Sequence, residues 1–191
     1  MLSRREFAAL LAAGPLALGE HLEGLELPRS VPPRIGAARA GARRLRSSAR
    51  EITLLYTNDF HSAFEPMPAF WLPESPRLGG AAHLATLVRR ERAAARTSFL
   101  LDSGDMFTGT LSRLTEGEAL LEMMRALGYD AMGVGNHEFD YGWQPFHEGV
   151  WRVPFPVLCA NLRWADSGRR FTRPYTIVER DGARIGVIGV M

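Results

Sequence analysis

From residue 52 onward, strand-like and helix-like segments alternate along the chain, and this alternation constrains the fold most. Short runs rich in β-formers predict strands at 52–56, 98–101, 131–134, 156–159, 175–179 and 184–190. Apolar residues at helical spacing predict helices at 79–96, 116–127 and within 140–150. Asp181-Gly182 predicts a hairpin turn between the last two strands. The alternation predicts an α/β fold with a largely parallel sheet.

Polar side chains directly follow each of the first three predicted strands. Because ligands gather beyond the carboxyl ends of strands in open α/β sheets, these side chains should converge. They are Asp59, His61, Asp105, Asn136 and His137. Asp59 and His61 are two residues apart, so both would point to one face if the strand continued through them.

Carboxylate and imidazole ligands together favour a divalent metal such as Mn, Zn, Fe or Co over calcium. Each polar pair also has a simpler explanation. Asn58-Asp59 is typical of a turn at a strand end, and Gly104-Asp105 of a turn or a helix cap. Gly135-Asn136-His137-Glu138 is more specific, because three polar groups come directly after an apolar strand. The order of the three motifs, each after a predicted strand, favours a metal site.

Charge and cysteine content exclude several classes of function. Residues 1–50 hold nine arginines against four glutamates, whereas residues 51–191 hold fourteen arginines against seventeen acidic residues. The basic character therefore belongs to the N-terminal segment, and we expect no nucleic-acid partner. Cys159 is the only cysteine, which excludes an internal disulfide and a cysteine-rich zinc site. Its apolar neighbours predict a small buried side chain.

The N-terminal segment has the layout of an export signal. Arg4-Arg5 precede an apolar stretch over residues 8–19 that is too short to span a bilayer. We expect residues 1–19 to be a twin-arginine-type signal peptide that the twin-arginine translocase recognises; an amphipathic N-terminus is the alternative. Residues 20–50 carry proline, glycine and arginine without apolar periodicity, which predicts a disordered linker. We therefore expect an exported protein of the periplasm or cell envelope, with no stable membrane span.

The polar motifs resemble those of the calcineurin-like metallophosphoesterases, most closely the bacterial 5′-nucleotidase branch. The resemblance rests on residues 57–61, 103–110 and 128–140. It implies that residues 51–191 form the N-terminal half of a four-layer α/β/β/α sandwich. The family's later Gly-His and Gly-His-x-His motifs do not occur, so we expect this domain to be truncated at its C-terminus.

The resemblance also implies a role for each polar residue. The implied metal ligands are Asp59, His61, Asp105 and Asn136, with Asp105 bridging two divalent ions. His137 would be the catalytic histidine, oriented by Asp140, and Asn136 and His137 would contact the substrate. The implied reaction is two-metal hydrolysis of phosphate esters, above all nucleoside 5′-monophosphates or related nucleotides, in nucleotide catabolism or phosphate scavenging.

Two alternatives to this activity stay open. The first is a thiosulfohydrolase of sulfur oxidation, a family that residues 80–88 resemble. That family typically replaces the Asn-His pair after the third strand, whereas Asn136-His137 is intact here. The second is an inactive, truncated relic, which the missing histidine motifs favour and the intact polar residues oppose.

Overall fold

The computed structural model describes residues 50–191. The predicted signal peptide (1–19) and residues 20–49 of the predicted linker lie outside the described residues. The strands are β1 (Thr53–Thr57), β2 (Met67–Pro68), β3 (Arg77–Leu78), β4 (Ser98–Asp102), β5 (Ala131–Gly133), β6 (Val157–Leu158), β7 (Tyr175–Arg180) and β8 (Ala183–Ile188). The helices are α1 (Ala81–Ala94), α2 (Thr110–Thr115), α3 (Glu118–Leu127) and α4 (Trp143–Val150), with a 3₁₀ turn at His137–Phe139.

Four strands form a parallel sheet in the order β1-β4-β5-β6, which confirms the predicted α/β class. Thr57 at the end of β1 lies opposite Asp102 at the end of β4, and Asp102 lies opposite Met132 in β5. The loops that leave these three strands therefore start side by side. This register brings the predicted site residues to one edge of the sheet.

The predicted helices are confirmed, although their ends shift. The helix predicted over 79–96 begins at Ala81, because Gly79 and Gly80 have φ of 77° and 90° and cannot continue it. The sequence did not predict α2, the 3₁₀ turn or the β2–β3 hairpin. These elements contain two to six residues each, which is too short for hydrophobic periodicity to identify.

The core lies between the sheet and the helices. In α3 the buried positions are Leu120, Leu121, Met123, Met124 and Leu127, so its apolar stripe packs in the core as expected. Leu100 of β4 and Met132 of β5 belong to the same buried cluster. Truncating a side chain of this kind to alanine costs about 2–5 kcal/mol.

Among the described residues, no helix is long and apolar enough to cross a membrane.

The β7–β8 hairpin is attached to the sheet through a partly buried ion pair. Asp181 and Gly182 have φ of 51° and 73°, which is the left-handed turn that the sequence predicted. Nη2 of Arg180 lies 2.6 Å from Oδ1 of Asp130, whose Oδ2 accepts the backbone N–H of Leu100. The guanidinium also lies over the Phe99 ring, 5.5 Å from its centroid. Arg180 thus fastens the hairpin to β4 and to the start of β5.

Candidate metal centre

The first motif lies in a left-handed loop. β1 ends at Thr57, and Asp59, His61 and Ser62 have φ of 53°, 49° and 55°. The expectation that alternation along an extended strand would align Asp59 with His61 is therefore wrong, because the strand does not continue. The loop itself brings the two side chains together, with His61 Nε2 3.7 Å from Asp59 Oδ1. The Asp59 N–H donates to the Gly104 carbonyl at 3.1 Å, which joins this loop to the next.

The second and third motifs are packed against each other. Asp105 has φ of 61°, and its Oδ1 accepts the backbone N–H of His137 at 3.0 Å. A Cβ added at Gly135 would lie 2.1 Å from that same Oδ1, and one at Gly104 would lie 2.4 Å from the Gly135 nitrogen. Only glycine fits at these two positions. Their contact holds the loop after β4 against the loop after β5.

Three of the predicted site residues form a cluster suited to a cation. Ligand atoms of His61, Asp105 and His137 all lie within 4.8 Å of one another. The two imidazole rings meet edge to face, with centroids 4.9 Å apart. Two imidazoles and a carboxylate are ligands that Mn, Zn, Fe and Co accept, so the residues present fit the predicted metal chemistry.

Asp59 and Asn136 lie at the border of this cluster. Oδ1 of Asp59 is near His61, whereas Oδ2 accepts the Asn58 side-chain amide at 2.5 Å. Asn136 is exposed at the start of the 3₁₀ turn, and its side chain makes no capping hydrogen bond to that turn. Both side chains therefore have oxygens available to a ligand.

His137 and Asp140 form the contact that the family resemblance implied. Nδ1 of His137 lies 3.0 Å from Oδ2 of Asp140. The hydrogen bond that His137 Nδ1–H donates to Asp140 is the main reason that the pKa of His137 is raised above 6.5. Because Nδ1 is engaged, Nε2 is the ring nitrogen left for an ion or a substrate.

Glu138 has a structural role that sequence reasoning missed. Its side chain is 1% exposed and accepts three backbone N–H groups, from Gly135 at 2.6 Å, Met106 at 2.7 Å and Asp105 at 3.0 Å. Burial raises the pKa of this carboxyl, and the three donors oppose that rise. The sequence alone does not distinguish this carboxylate from a metal ligand. Its burial in the structure makes that distinction.

A second buried carboxyl lies behind the site. Asp102, 5% exposed, accepts the Gly104 N–H at 2.7 Å and the Thr57 hydroxyl at 2.6 Å. Burial raises the pKa of Asp102 to about 7, against a usual value of 3.8. The Tyr129 hydroxyl lies 2.7 Å from that of Thr57, and burial raises the pKa of Tyr129 to about 12.

The other described histidines and Cys159 lie outside the cluster. His147 packs among aromatic rings, including those of Trp164 and Phe171, and His83 contacts the carbonyl of Gly79, which lies just before its helix. Cys159 is a buried free thiol, as expected. A groove of about 370 Å³ between α3 and α4 is lined by none of the predicted site residues. The polar edge of the sheet is therefore the site that the geometry supports.

Comparison with known proteins assigns this fold and site to a phosphoesterase family. The calcineurin-like phosphoesterase family model matches residues 52–185. A probable 5′-nucleotidase of Treponema pallidum is 39% identical over 82% of the chain and 28% of its own length. The crystal structure of a 5′-nucleotidase precursor from Thermus thermophilus matches with a TM-score of 0.67 at 36% identity, over 73% of this chain and 28% of that one.

The chain belongs to the calcineurin-like phosphoesterase family. It spans about 28% of the length of the 5′-nucleotidase relative from Treponema pallidum. A sulfate thiohydrolase from Thermus thermophilus shares the fold, with a TM-score of 0.62 at 21% identity. That likeness concerns the fold alone.

Proposed function

We propose that this chain carries part of the active site of an enzyme that hydrolyses nucleoside 5′-monophosphates or related phosphate esters. The convergence of His61, Asp105 and His137 within 4.8 Å is the observation that carries the proposal. The relatives named 5′-nucleotidase favour a nucleotide substrate over other phosphate esters.

The loops after β1, β4 and β5 would hold two divalent metal ions. Asp59 and His61 would bind one ion, Asp105 would bridge both, and Asn136 would bind the second. Bound ions of this kind activate water and neutralise the phosphoryl oxygens for in-line attack. The exposed oxygens of Asp59 and Asn136 support their assignment as ligands.

His137 would act on the transferring phosphoryl group. Asp140 fixes the imidazole through Nδ1 and raises its pKa, so the protonated ring is retained to a higher pH. An imidazolium at this position donates a proton to the leaving oxygen or stabilises negative charge on the phosphoryl group. Asn136 and His137 would therefore both contact the substrate.

The proposal also includes export. The pair Arg4-Arg5 ahead of an apolar stretch supports a twin-arginine signal over residues 1–19 and a periplasmic or envelope location. Arg4→Lys combined with Arg5→Lys should leave the protein in the cytoplasm, as measured by cell fractionation. Unchanged export of the double variant would contradict this part of the proposal.

The decisive experiment measures metal content and nucleotide hydrolysis on the same samples, with the chain extended over the remaining length of its 5′-nucleotidase relatives. With Mn²⁺ bound, His137→Ala should retain metal and lose ~10²–10⁴-fold in kcat on AMP. His147→Ala, which removes an imidazole that packs outside the cluster, is the matched control and should stay within about twofold of the parent. If His137→Ala loses its metal to the same extent as its activity, His137 is a metal ligand. A metal-loaded parent that releases no phosphate from any nucleotide would refute the proposed function.

A further inference from the structure

A chain of partly buried hydrogen bonds runs behind the candidate metal centre. Thr57 Oγ1 donates to Asp102 Oδ2 at 2.6 Å, and the Tyr129 hydroxyl lies 2.7 Å from Thr57 Oγ1. When Asp102 is ionised, the single hydrogen of the threonine hydroxyl goes to the carboxylate, and Tyr129 is then the donor to Thr57. We refer to these three side chains as the Tyr129–Thr57–Asp102 relay.

Two members of the relay stand at the roots of site loops, and the third lies in the segment that leads into β5. Thr57 is the last residue of β1 and Asp102 the last of β4, and Tyr129 comes two residues before β5. Asp102 Oδ1 also accepts the N–H of Gly104, the residue directly before Asp105. Asp102 and Tyr129 are each 5% exposed. The relay therefore links the ends of β1 and β4 to the segment before β5, with its two outer members buried.

The loops that the relay joins are conformationally strained. Asp59 and Asp105 have φ of 53° and 61°, a region that non-glycine residues occupy only when their surroundings hold them there. The Asp102–Gly104 hydrogen bond fixes the turn that leads to Asp105. The Thr57–Asp102 hydrogen bond ties that turn to the strand that leads to Asp59 and His61.

We propose that the relay positions the loops of Asp59, His61 and Asp105 for metal binding, and that Thr57 is its central positioning residue. The proposal rests on the metal centre of the proposed function. A purely structural network would contribute to stability alone, whereas a positioning network also sets metal affinity. Outer residues that orient metal ligands typically change affinity by about 10–100-fold when they are replaced.

Thr57→Val tests the proposal, because it removes the hydroxyl and keeps the shape of the side chain. Mn²⁺ affinity is measured by calorimetry on the full chain, and stability by urea denaturation without metal. We expect Mn²⁺ affinity to fall by about tenfold or more in Thr57→Val, and to return to within about twofold of the parent in Thr57→Ser. Thr53→Val, the same replacement at the start of β1, should leave affinity unchanged.

Two results would overturn the positioning role. One is a folded Thr57→Val that binds Mn²⁺ as tightly as the parent. The other is a Thr57→Ser that fails to restore affinity. If Thr57→Val does not fold, Tyr129→Phe removes the far end of the relay and should weaken Mn²⁺ binding in the same direction; unchanged affinity there overturns the proposal as well.

A separate measurement distinguishes failure of the relay from failure of the metal centre. If the parent chain binds no Mn²⁺, the proposed function fails, and the relay is then tested by amide hydrogen exchange. The informative amides are those of Gly104, bonded to Asp102, and Asp59, bonded to the Gly104 carbonyl. Both should exchange about tenfold or more faster in Thr57→Val than in Thr53→Val. Equal exchange rates would show that the relay does not hold these loops.

Discussion

Oδ2 of Asp140 and Nδ1 of His137 lie 3.0 Å apart across the 3₁₀ turn that follows β5. The contact fixes the ring orientation of the only imidazole on this loop and leaves Nε2 directed away from Asp140. It also couples the protonation of His137 to a residue three positions along the chain. That coupling can be measured without any metal or substrate.

Asp140→Asn should lower the pKa of His137 in the metal-free chain, because the hydrogen bond to a carboxylate is the main cause of its rise. The measurement is an NMR titration of the imidazole, with Asp166→Asn, on a distant exposed turn, as the control. Because the pKa of His137 is higher in the folded state than in the unfolded state, protonation of His137 stabilises the folded state at pH values below about 6.5. This stabilisation is lost as pH rises through the folded-state pKa. The stability difference between the parent and Asp140→Asn should therefore shrink at alkaline pH. An unshifted titration would contradict the assignment.

Glu138→Gln should destabilise the chain by about 2–4 kcal/mol. The amide offers one carbonyl oxygen and turns an NH₂ group toward backbone N–H donors, so at least one of the three donors loses its acceptor. Urea denaturation gives the free energy of unfolding. Glu148→Gln is the matched control, because that side chain is 65% exposed and pairs with Arg152 alone among the ion pairs of residues 50–191; its cost should stay below about 0.5 kcal/mol. Equal costs would contradict the buried role of Glu138.

Asp102 should make the metal-free chain less stable as pH rises. Its folded-state pKa of about 7 exceeds the usual 3.8, so the folded state binds more protons than the unfolded state between these values. Stability from this group is therefore present below about pH 3.8 and lost as pH rises through about 7, by a few kcal/mol in all. Asp102→Asn, measured against the parent by denaturation at several pH values, should remove this part of the pH dependence. If the stability of the two proteins has the same pH dependence, this prediction is refuted.

Asp105→Ala should lose more metal than Asp59→Ala. Asp105 is packed into the centre of the cluster through the His137 N–H, whereas Asp59 is exposed and lies at its border. A carboxylate that bridges two ions serves both of them. Elemental analysis of the purified variants, with Asp166→Ala as the control, gives the metal content per chain. An equal or smaller loss in Asp105→Ala would count against the bridging role.

The sheet and the position of the site could be predicted from the sequence, because strand ends in a parallel sheet fall at one edge. The detailed geometry of the site could not be predicted. Left-handed conformations at Asp59 and His61 depend on contacts with loops more than forty residues away, such as the bond from Asp59 to Gly104. The burial of Glu138 and Asp102 depends on tertiary packing in the same way. Local sequence patterns do not reveal such long-range contacts.

The left-handed backbone at Asp59, His61, Ser62 and Asp105 also affects the thermodynamics of ligand capture. Hydrogen bonds within the chain hold these conformations. The free-energy cost of the left-handed backbone is therefore part of folding and not of ligand binding. An arriving ion then meets loops that are already ordered, and little conformational entropy remains to be lost. We therefore expect mutations that relax these loops to raise the stability of the metal-free protein and to lower its affinity for the ion.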